Sequence, residues 1–318
     1  MKGLLLSFCF SLLCIAGLFF LLLWLITPYI SAEGPVLSPM PSFLTRSKNN
    51  QVTTLDIWLP LESPKATNVP FALSARAALS YDLTTNQTLY VKSPTTSLPM
   101  ASLTKIMTAI VALEHPQKTY TVPQSALVGE DSMGLSAGET LSLPELLYGL
   151  ILHSGNDAAE TLAANFPQGR GAFIQAMNDK VQTLGLTHTH FTNPTGLEGD
   201  GSQRTTAYDL LVMTKYALEN FPLFGAIAAT AEENISQTQT HKAYSLENET
   251  NLLTSYPGVQ GVKTGYTPEA GLCLVTYLNY GGHQLIAVVL GSDDRRGEMI
   301  ELLDFSLEKL GITPPPHG

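Results

Sequence analysis

The sequence is poor in cysteine and in basic residues, and each shortage excludes a class of protein. Three cysteines in 318 residues cannot build a disulfide framework, and two of them, Cys9 and Cys14, lie in one apolar segment. Lys and Arg total 17 against 27 Asp and Glu, which gives a formal net charge of -10. This acidic balance argues against nucleic acid as a partner.

Charge is absent from the segment that follows the N-terminus. Residues 4–26 contain no acidic or basic side chain, and an almost wholly apolar segment of 23 residues can span a bilayer. A cleaved signal peptide has a shorter apolar region of about 7 to 15 residues and a small-x-small site, of which Ile30-Ser-Ala32 is a poor version. The pattern favours an uncleaved anchor but leaves cleavage open. Because Lys2 precedes the segment, we expect the rest of the chain to be exported.

The remaining chain divides by composition. Residues 31–70 contain six prolines among Ser, Asn and Thr, which is typical of a linker. Strand and helix patterns then fill residues 71–311, and 312–318 form a tail. The apolar patterns predict strands at both ends of this domain and helices between them. Such an order predicts an α/β (α+β) domain whose two chain ends share one sheet, beside an inserted helical region.

Met100–Ala109 carries a serine and a lysine at the start of an apolar helix. Ser102 and Lys105 are three positions apart, so on a helix they lie on the same face. A buried lysine loses hydration and favours its neutral form, which can accept the proton of a serine hydroxyl. The pattern is weak when taken alone, because Ser306 and Lys309 repeat it.

Two further motifs occur where Ser102 would need partners. Ser154-Gly-Asn156 lies in a loop between two apolar helices, although Ser154 and Asn156 could simply cap the second helix. Lys263-Thr-Gly265 lies on a strand, and Gly265 would let an extended substrate backbone approach closely. The order S-x-x-K, S-x-N, K-T-G is the arrangement of penicillin-binding proteins and class A β-lactamases.

On these motifs the chain resembles the D-alanyl-D-alanine carboxypeptidases, the low-molecular-mass penicillin-binding proteins. Residues 101–109, 147–158, 261–267 and 288–291 all look like that family, and the resemblance covers residues 71–311. It implies a serine β-lactamase/DD-peptidase-like fold with an antiparallel five-stranded sheet, flanking helices and an inserted all-helical region. It also implies a bacterial protein of the cytoplasmic membrane with one N-terminal pass and a periplasmic or extracytoplasmic catalytic domain.

The resemblance implies an acyl-enzyme mechanism with no cofactor and no metal. Ser102 would attack the carbonyl that joins two D-alanines in a peptidoglycan stem peptide, and Lys105 would take its proton. Ser154 and Asn156 would hold Lys105 by hydrogen bonds, and Ser154 would also protonate the leaving amine. The backbone N–H groups of Ser102 and Tyr266 would form the oxyanion hole. β-Lactam antibiotics would act as inhibitors that acylate the same serine.

The resemblance also implies a site for the terminal carboxylate of the substrate. Of two arginines that follow the last strand, Arg295 and Arg296, we choose Arg296, although the family position falls nearer Glu298. The substrate-binding candidates are Lys263, Thr264, Gly265, Tyr266 and Arg296.

Several alternatives remain open at this point. Gly134-Leu-Ser-Ala-Gly138 fits the nucleophile elbow of esterases, but no buried strand precedes Ser136 and no helix follows immediately. A β-lactamase would need a carboxylate that activates water, and Glu198 is a candidate. A DD-endopeptidase would use the same residues as a carboxypeptidase, and a catalytically idle peptidoglycan-binding protein is a further possibility.

The residue His153, just before Ser154, departs from the family pattern.

Overall fold

The structure is a computed structural model that describes residues 72–199 and 201–317. The expected anchor or signal segment, residues 1–30, and the expected linker, residues 31–70, lie outside the described residues. In the part of the chain that the structure does describe, no helix combines the length and the apolar character needed to cross a membrane.

The described residues form nine strands and eight α-helices. The strands are β1 (Ala77–Asp82), β2 (Gln87–Lys92), β3 (Tyr120–Thr121), β4 (Thr140–Leu141), β5 (Glu232–Ile235), β6 (Tyr244–Glu247), β7 (Val259–Thr267), β8 (Gly271–Tyr280) and β9 (His283–Ser292). The helices are α1 (Lys105–Glu114), α2 (Leu143–Ile151), α3 (Asn156–Ala164), α4 (Arg170–Thr183), α5 (Ala207–Asn220), α6 (Pro222–Ala228), α7 (Leu252–Ser255) and α8 (Arg295–Lys309).

The main sheet joins both ends of the domain. Its five strands run in the order β2-β1-β9-β8-β7, and all neighbouring strands are antiparallel. The expectation of an antiparallel five-stranded sheet with flanking helices is therefore confirmed. Because β7 is the last strand in this order, one of its edges is not paired within the sheet.

Helices cover both faces of the sheet. Six consecutive residues of β9, from Leu285 to Leu290, are fully buried, which is the pattern of a strand that is covered on both sides. Helix α8 packs on one face through Leu302, Leu303 and Leu307, and α5 packs on the other face. This burial fixes the position of β7, which carries the Lys-Thr-Gly motif.

The inserted region is not all-helical, so that part of the expectation is wrong. It contains two small hairpins, β3 with β4 and β5 with β6. β3 and β4 have two residues each, which is too short for an alternating apolar pattern to be recognised. The helix α2 begins with a capping box, in which the Ser142 backbone N–H donates to the Glu145 carboxylate at 2.7 Å.

Candidate active site

Ser102 lies in a single turn of 3-10 helix, Ala101–Thr104, that leads directly into α1. Ala101 has a left-handed backbone conformation, with φ of 48°, and its carbonyl accepts a hydrogen bond from the Thr104 hydroxyl at 2.9 Å. Strand β7 lies against this turn at Gly265, where an added Cβ would be 3.1 Å from the Ser102 nitrogen. The absence of a side chain at Gly265 therefore brings the serine and the edge strand together.

Lys105 is fully buried, and three oxygen atoms lie around its Nζ. These are Ser102 Oγ at 2.8 Å, Asn156 Oδ1 at 2.7 Å and the Thr195 carbonyl oxygen at 2.8 Å. An amide oxygen and a carbonyl oxygen can only accept hydrogen bonds, so they take the two N–H groups of a neutral amine. The nitrogen lone pair is then left for the hydroxyl proton of Ser102.

The electrostatic surroundings favour this neutral form. Burial lowers the pKa of Lys105 well below its usual value, and the positive charge of Lys263 lowers it further. Nearby carboxylates oppose the shift but do not reverse it. The geometry and the charge distribution therefore agree on a lysine that can act as a base toward Ser102.

Asn156 is fixed from several sides. It is the first residue of α3, its side-chain NH2 donates to the Glu130 carbonyl at 2.9 Å, and its backbone N–H donates to the Asp131 carbonyl at 2.7 Å. Its Oδ1 thereby faces Lys105. Ser154 is buried in a left-handed conformation, with φ of 57°, but it is not among the three partners of Lys105. The third partner of Lys105 is the Thr195 carbonyl.

The loop that supports Asn156 depends on the buried carboxylate of Asp157. This carboxylate accepts from the Ser132 hydroxyl at 2.6 Å and from the backbone N–H groups of Met133 at 3.0 Å, Gly134 at 3.1 Å, Leu135 at 2.8 Å and Ala158 at 2.9 Å. The variant Asp157→Asn would direct an NH2 group toward these donors. We expect it to lower the free energy of unfolding by about 2 to 4 kcal/mol, measured by urea denaturation.

The exposed Asp179 provides a matched control for this prediction. Its carboxylate accepts a hydrogen bond from the Gln175 side chain on the surface of α4, at 2.8 Å. Asp179→Asn should leave the free energy of unfolding within about 0.5 kcal/mol of the parent protein. Equal denaturation curves for Asp157→Asn and the parent would contradict a supporting role of Asp157.

The Thr195 carbonyl is positioned by the turn Asn193-Pro-Thr-Gly196. The Asn193 side-chain oxygen accepts from the backbone N–H groups of Thr195 at 3.1 Å and Gly196 at 2.8 Å, and the Thr108 hydroxyl donates to the Pro194 carbonyl at 2.6 Å. Gly196 has φ of 89°, and a Cβ there would lie 2.0 Å from the Ala101 carbonyl oxygen. Only glycine therefore allows this turn to contact the turn that carries Ser102.

Lys263 and Thr264 lie on the edge strand β7. The Lys263 side chain is almost fully buried, and its Nζ has no hydrogen-bond partner among the described residues; the Glu249 carboxylate is 3.7 Å away. The Thr264 hydroxyl donates to the same carboxylate at 2.8 Å. Burial lowers the pKa of Lys263 to about 8; the charge of Glu249 opposes this shift, and the charge of Arg295 acts in the same direction as burial. The ring of Tyr266, further along the strand, is exposed to solvent.

The two candidate arginines point in different directions. The Arg295 guanidinium donates to the Gly265 carbonyl at 3.0 Å, whereas Arg296 donates to the Ser255 hydroxyl at 3.2 Å. The structure therefore brings Arg295, and not the chosen Arg296, to the motif strand. Successive residues on a helix are about 100° apart, so the sequence could not say which arginine faces β7. Glu298 accepts hydrogen bonds from the backbone N–H of Ala75, at 3.2 Å and 3.3 Å.

The competing serines have different surroundings. Ser306 is buried in α8 and lies 2.8 Å from the Ser80 hydroxyl, while Lys309 donates to the Leu89 carbonyl at 2.7 Å. That pair is part of the helix–sheet contact. Ser136 is exposed in a loop, where the Lys242 ammonium donates to its hydroxyl at 3.0 Å. Neither serine has a buried, desolvated lysine beside it.

Glu198, the candidate carboxylate for a β-lactamase, is exposed on the surface. Its carboxylate accepts a hydrogen bond from the Glu269 backbone N–H at 3.0 Å. This contact links the loop after Gly196 to the turn between β7 and β8.

The fold and the site together define the class of serine peptidases, with a desolvated lysine beside the serine. A family model described as D-alanyl-D-alanine carboxypeptidase matches residues 63–294. The chain belongs to the D-alanyl-D-alanine carboxypeptidase family.

Known relatives of the chain include enzymes with different names. The chain is 34% identical over 254 residues to the D-alanyl-D-alanine carboxypeptidase DacF of Bacillus subtilis, covering 76% of this chain and 64% of the relative. It is 32% identical over 209 residues to a D-alanyl-D-alanine endopeptidase of Pseudomonas aeruginosa, covering 64% of this chain and 66% of the relative. The chain therefore spans about two thirds of the length of these two relatives.

A solved structure supports the same assignment of the fold. The crystal structure of a Streptomyces DD-transpeptidase matches with a TM-score of 0.69 at 31% sequence identity, covering 74% of this chain and 98% of that chain.

Proposed function

We propose that this protein is a serine-type D-alanyl-D-alanine carboxypeptidase, which removes the terminal D-alanine from peptidoglycan stem peptides through an acyl-enzyme on Ser102. The observation that carries the proposal is the position of the Lys105 Nζ, 2.8 Å from the Ser102 hydroxyl, with its other two neighbours able only to accept hydrogen bonds. β-Lactam antibiotics would acylate the same serine.

In the first half of the reaction Ser102 Oγ attacks the carbonyl carbon of the penultimate D-alanine while Lys105 takes the hydroxyl proton. The backbone N–H groups of Ser102 and Tyr266 stabilise the negative charge on the carbonyl oxygen. The C–N bond then breaks, and the proton that Lys105 took passes to the leaving amine through the Ser154 hydroxyl. Water attacks the resulting ester, the stem peptide leaves, and Ser102 recovers its proton.

The substrate lies along the free edge of β7. Lys263 and Thr264 bind the terminal carboxylate by charge and hydrogen bonds, and Gly265 leaves room for the peptide backbone. Arg295 contributes by fixing the Gly265 carbonyl, at 3.0 Å, and by adding positive charge near the strand. The catalytic domain acts outside the bacterial cytoplasmic membrane, with residues 1–30 as its anchor or signal segment.

A second candidate function is supported by a relative. The Pseudomonas aeruginosa endopeptidase is 32% identical to the chain, and cleavage of D-alanyl crosslinks would use the same nucleophile. Mass analysis of muropeptides after treatment with the purified protein distinguishes the two. We expect the loss of one alanine from monomeric pentapeptides. Conversion of crosslinked dimers to monomers, with pentapeptides unchanged, would favour the endopeptidase instead.

Carboxylate binding by Lys263 predicts a pH dependence of KM. Lys263 binds an anion only when protonated, and its pKa is lowered to about 8 by burial. The charge is present below that pH and is lost as the pH rises through it, so KM should rise above pH 8 by about tenfold per pH unit. Steady-state kinetics of an N-acetylated peptide from pH 6.5 to 9.5 measures this. A KM that stays constant over the range would contradict this role of Lys263.

A further inference from the structure

An acidic side chain of the protein itself lies at the proposed carboxylate site. Glu249 precedes α7, and its Oε2 accepts a hydrogen bond from the Thr264 hydroxyl at 2.8 Å and lies 3.7 Å from the Lys263 Nζ. These are the two groups that the proposed function assigns to the terminal carboxylate of the substrate. A second carboxylate cannot make the same contacts while Glu249 holds them.

The backbone of Glu249 is held by the surrounding loops, whereas its side chain is partly exposed to solvent. Its backbone N–H donates to the Leu152 carbonyl at 3.1 Å. The neighbouring Asn248 side chain donates to the Ala228 and Thr230 carbonyls, at 3.2 Å and 2.9 Å. The Glu249 side chain is 39% exposed, so it can rotate into solvent without movement of the main chain.

The carboxylate of Glu249 is charged at neutral pH. Burial opposes its ionisation, but the charge of Lys263 and the hydrogen bond from Thr264 outweigh that effect and hold the pKa of Glu249 below its usual value. His153 and Lys105 act in the same direction. An approaching substrate carboxylate therefore meets a like charge and, in Thr264, a donor that already has an acceptor.

We propose that Glu249 is a specificity-determining residue that competes with the substrate's terminal carboxylate for Thr264 and Lys263. The inference rests on the proposed function, because it assumes that peptides bind along β7. An anionic C-terminus binds only to those molecules in which Glu249 has rotated away. The apparent affinity for a carboxylate peptide is therefore the intrinsic affinity multiplied by the fraction of such molecules. A peptide with an amidated C-terminus is neutral there and is not repelled by Glu249.

The test compares two peptides that differ only at the C-terminus, N-acetylated and ending in D-Ala-D-Ala or in D-Ala-D-alaninamide. Their dissociation constants are measured by calorimetry on the full chain with Ser102→Ala, which prevents turnover, with and without Glu249→Gln. The measurements are made at about pH 6, because the Glu249 charge raises the pKa of Lys263 and its removal must leave that lysine protonated. We expect Glu249→Gln to tighten binding of the carboxylate peptide by roughly tenfold and to change binding of the amide by less than about twofold.

Glu247→Gln is the matched control, because Glu247 is an exposed acid at the end of β6, two residues from Glu249. It should change neither dissociation constant. The inference would be overturned if Glu249→Gln affected both peptides equally or affected neither. It would also be overturned if the carboxylate peptide bound to neither of the two proteins. Failure of the proposed function is recognised separately, since a protein with Ser102 intact would then form no covalent adduct with a fluorescent penicillin.

Discussion

Replacement of Ser102 by alanine is expected to abolish covalent labelling by a fluorescent penicillin and to abolish release of D-alanine from stem peptides. The hydroxyl oxygen is the atom that forms the acyl bond, so without it no ester can form. Residual hydrolysis by water in the same site should be slower by about four to six orders of magnitude. Gel fluorescence after a short incubation, together with an assay of released D-alanine, measures both losses.

Ser136→Ala is the control for this variant. Ser136 belongs to the sequence that fits an esterase elbow, but it lies in an exposed loop where Lys242 donates to its hydroxyl at 3.0 Å. Labelling and D-alanine release should both stay at the level of the parent protein. If Ser136→Ala loses labelling while Ser102→Ala keeps it, the nucleophile has been assigned to the wrong serine.

The second large effect is expected for Lys105→Met, which keeps a long apolar stem and removes the amine. The Ser102 hydroxyl then has no base within 2.8 Å, and the acylation rate should fall by about two to four orders of magnitude. Asn156 Oδ1 and the Thr195 carbonyl also lose their donor, at a cost of about 1 to 3 kcal/mol for each group left unpaired. The protein should therefore be less stable but still folded, which thermal denaturation can verify.

A pH profile separates a catalytic role of Lys105 from a structural one. In the parent protein burial lowers the pKa of Lys105 well below its usual value, so acylation should reach a plateau once the pH exceeds that lowered pKa. In Lys105→Met the remaining acylation needs hydroxide and should rise with pH. Lys309→Met is the control, because Lys309 occupies the other S-x-x-K pattern and donates to the Leu89 carbonyl. Parent-like acylation by Lys105→Met would contradict the proposed base.

Much of the fold can be predicted from the sequence, because buried strands and helices show clear apolar patterns. The apolar strands at each end of the domain predict a shared sheet, and the structure confirms it. The helix α6 and the hairpin of β5 with β6 were not predicted. β5 and β6 have four residues each, only partly buried, so they show little of the pattern that marks longer strands.

Part of the candidate site can also be predicted from the sequence, and part cannot. Ser102, Lys105 and Asn156 can be selected because their side chains form spaced motifs, and the structure brings them within hydrogen-bond distance. The contact between the Thr195 carbonyl and Lys105 could not be predicted from the sequence, because every residue type has a backbone carbonyl. The turn at Asn193–Gly196 is recognisable from its residues, but its contact with Lys105 depends on tertiary packing.

The contacts of the charged residues near β7 also could not be predicted from the sequence. Glu249 belongs to no motif, and its position beside Thr264 results from the loop held by Asn248. Arg295 and Arg296 are adjacent in sequence, and only the orientation of α8 decides that Arg295 faces Gly265. Sequence spacing thus identifies the groups on one helix face or one strand, whereas contacts between distant loops require the fold.

The most direct test of the central claim is to locate the acyl group. The purified protein is incubated with benzylpenicillin, denatured, digested and examined by tandem mass spectrometry. The account predicts one adduct with the mass of the opened antibiotic, on the peptide that contains Ser102, with fragment ions that place it on that serine. An adduct on Ser136, Ser154 or Ser306, or an unmodified protein after prolonged incubation, would contradict it.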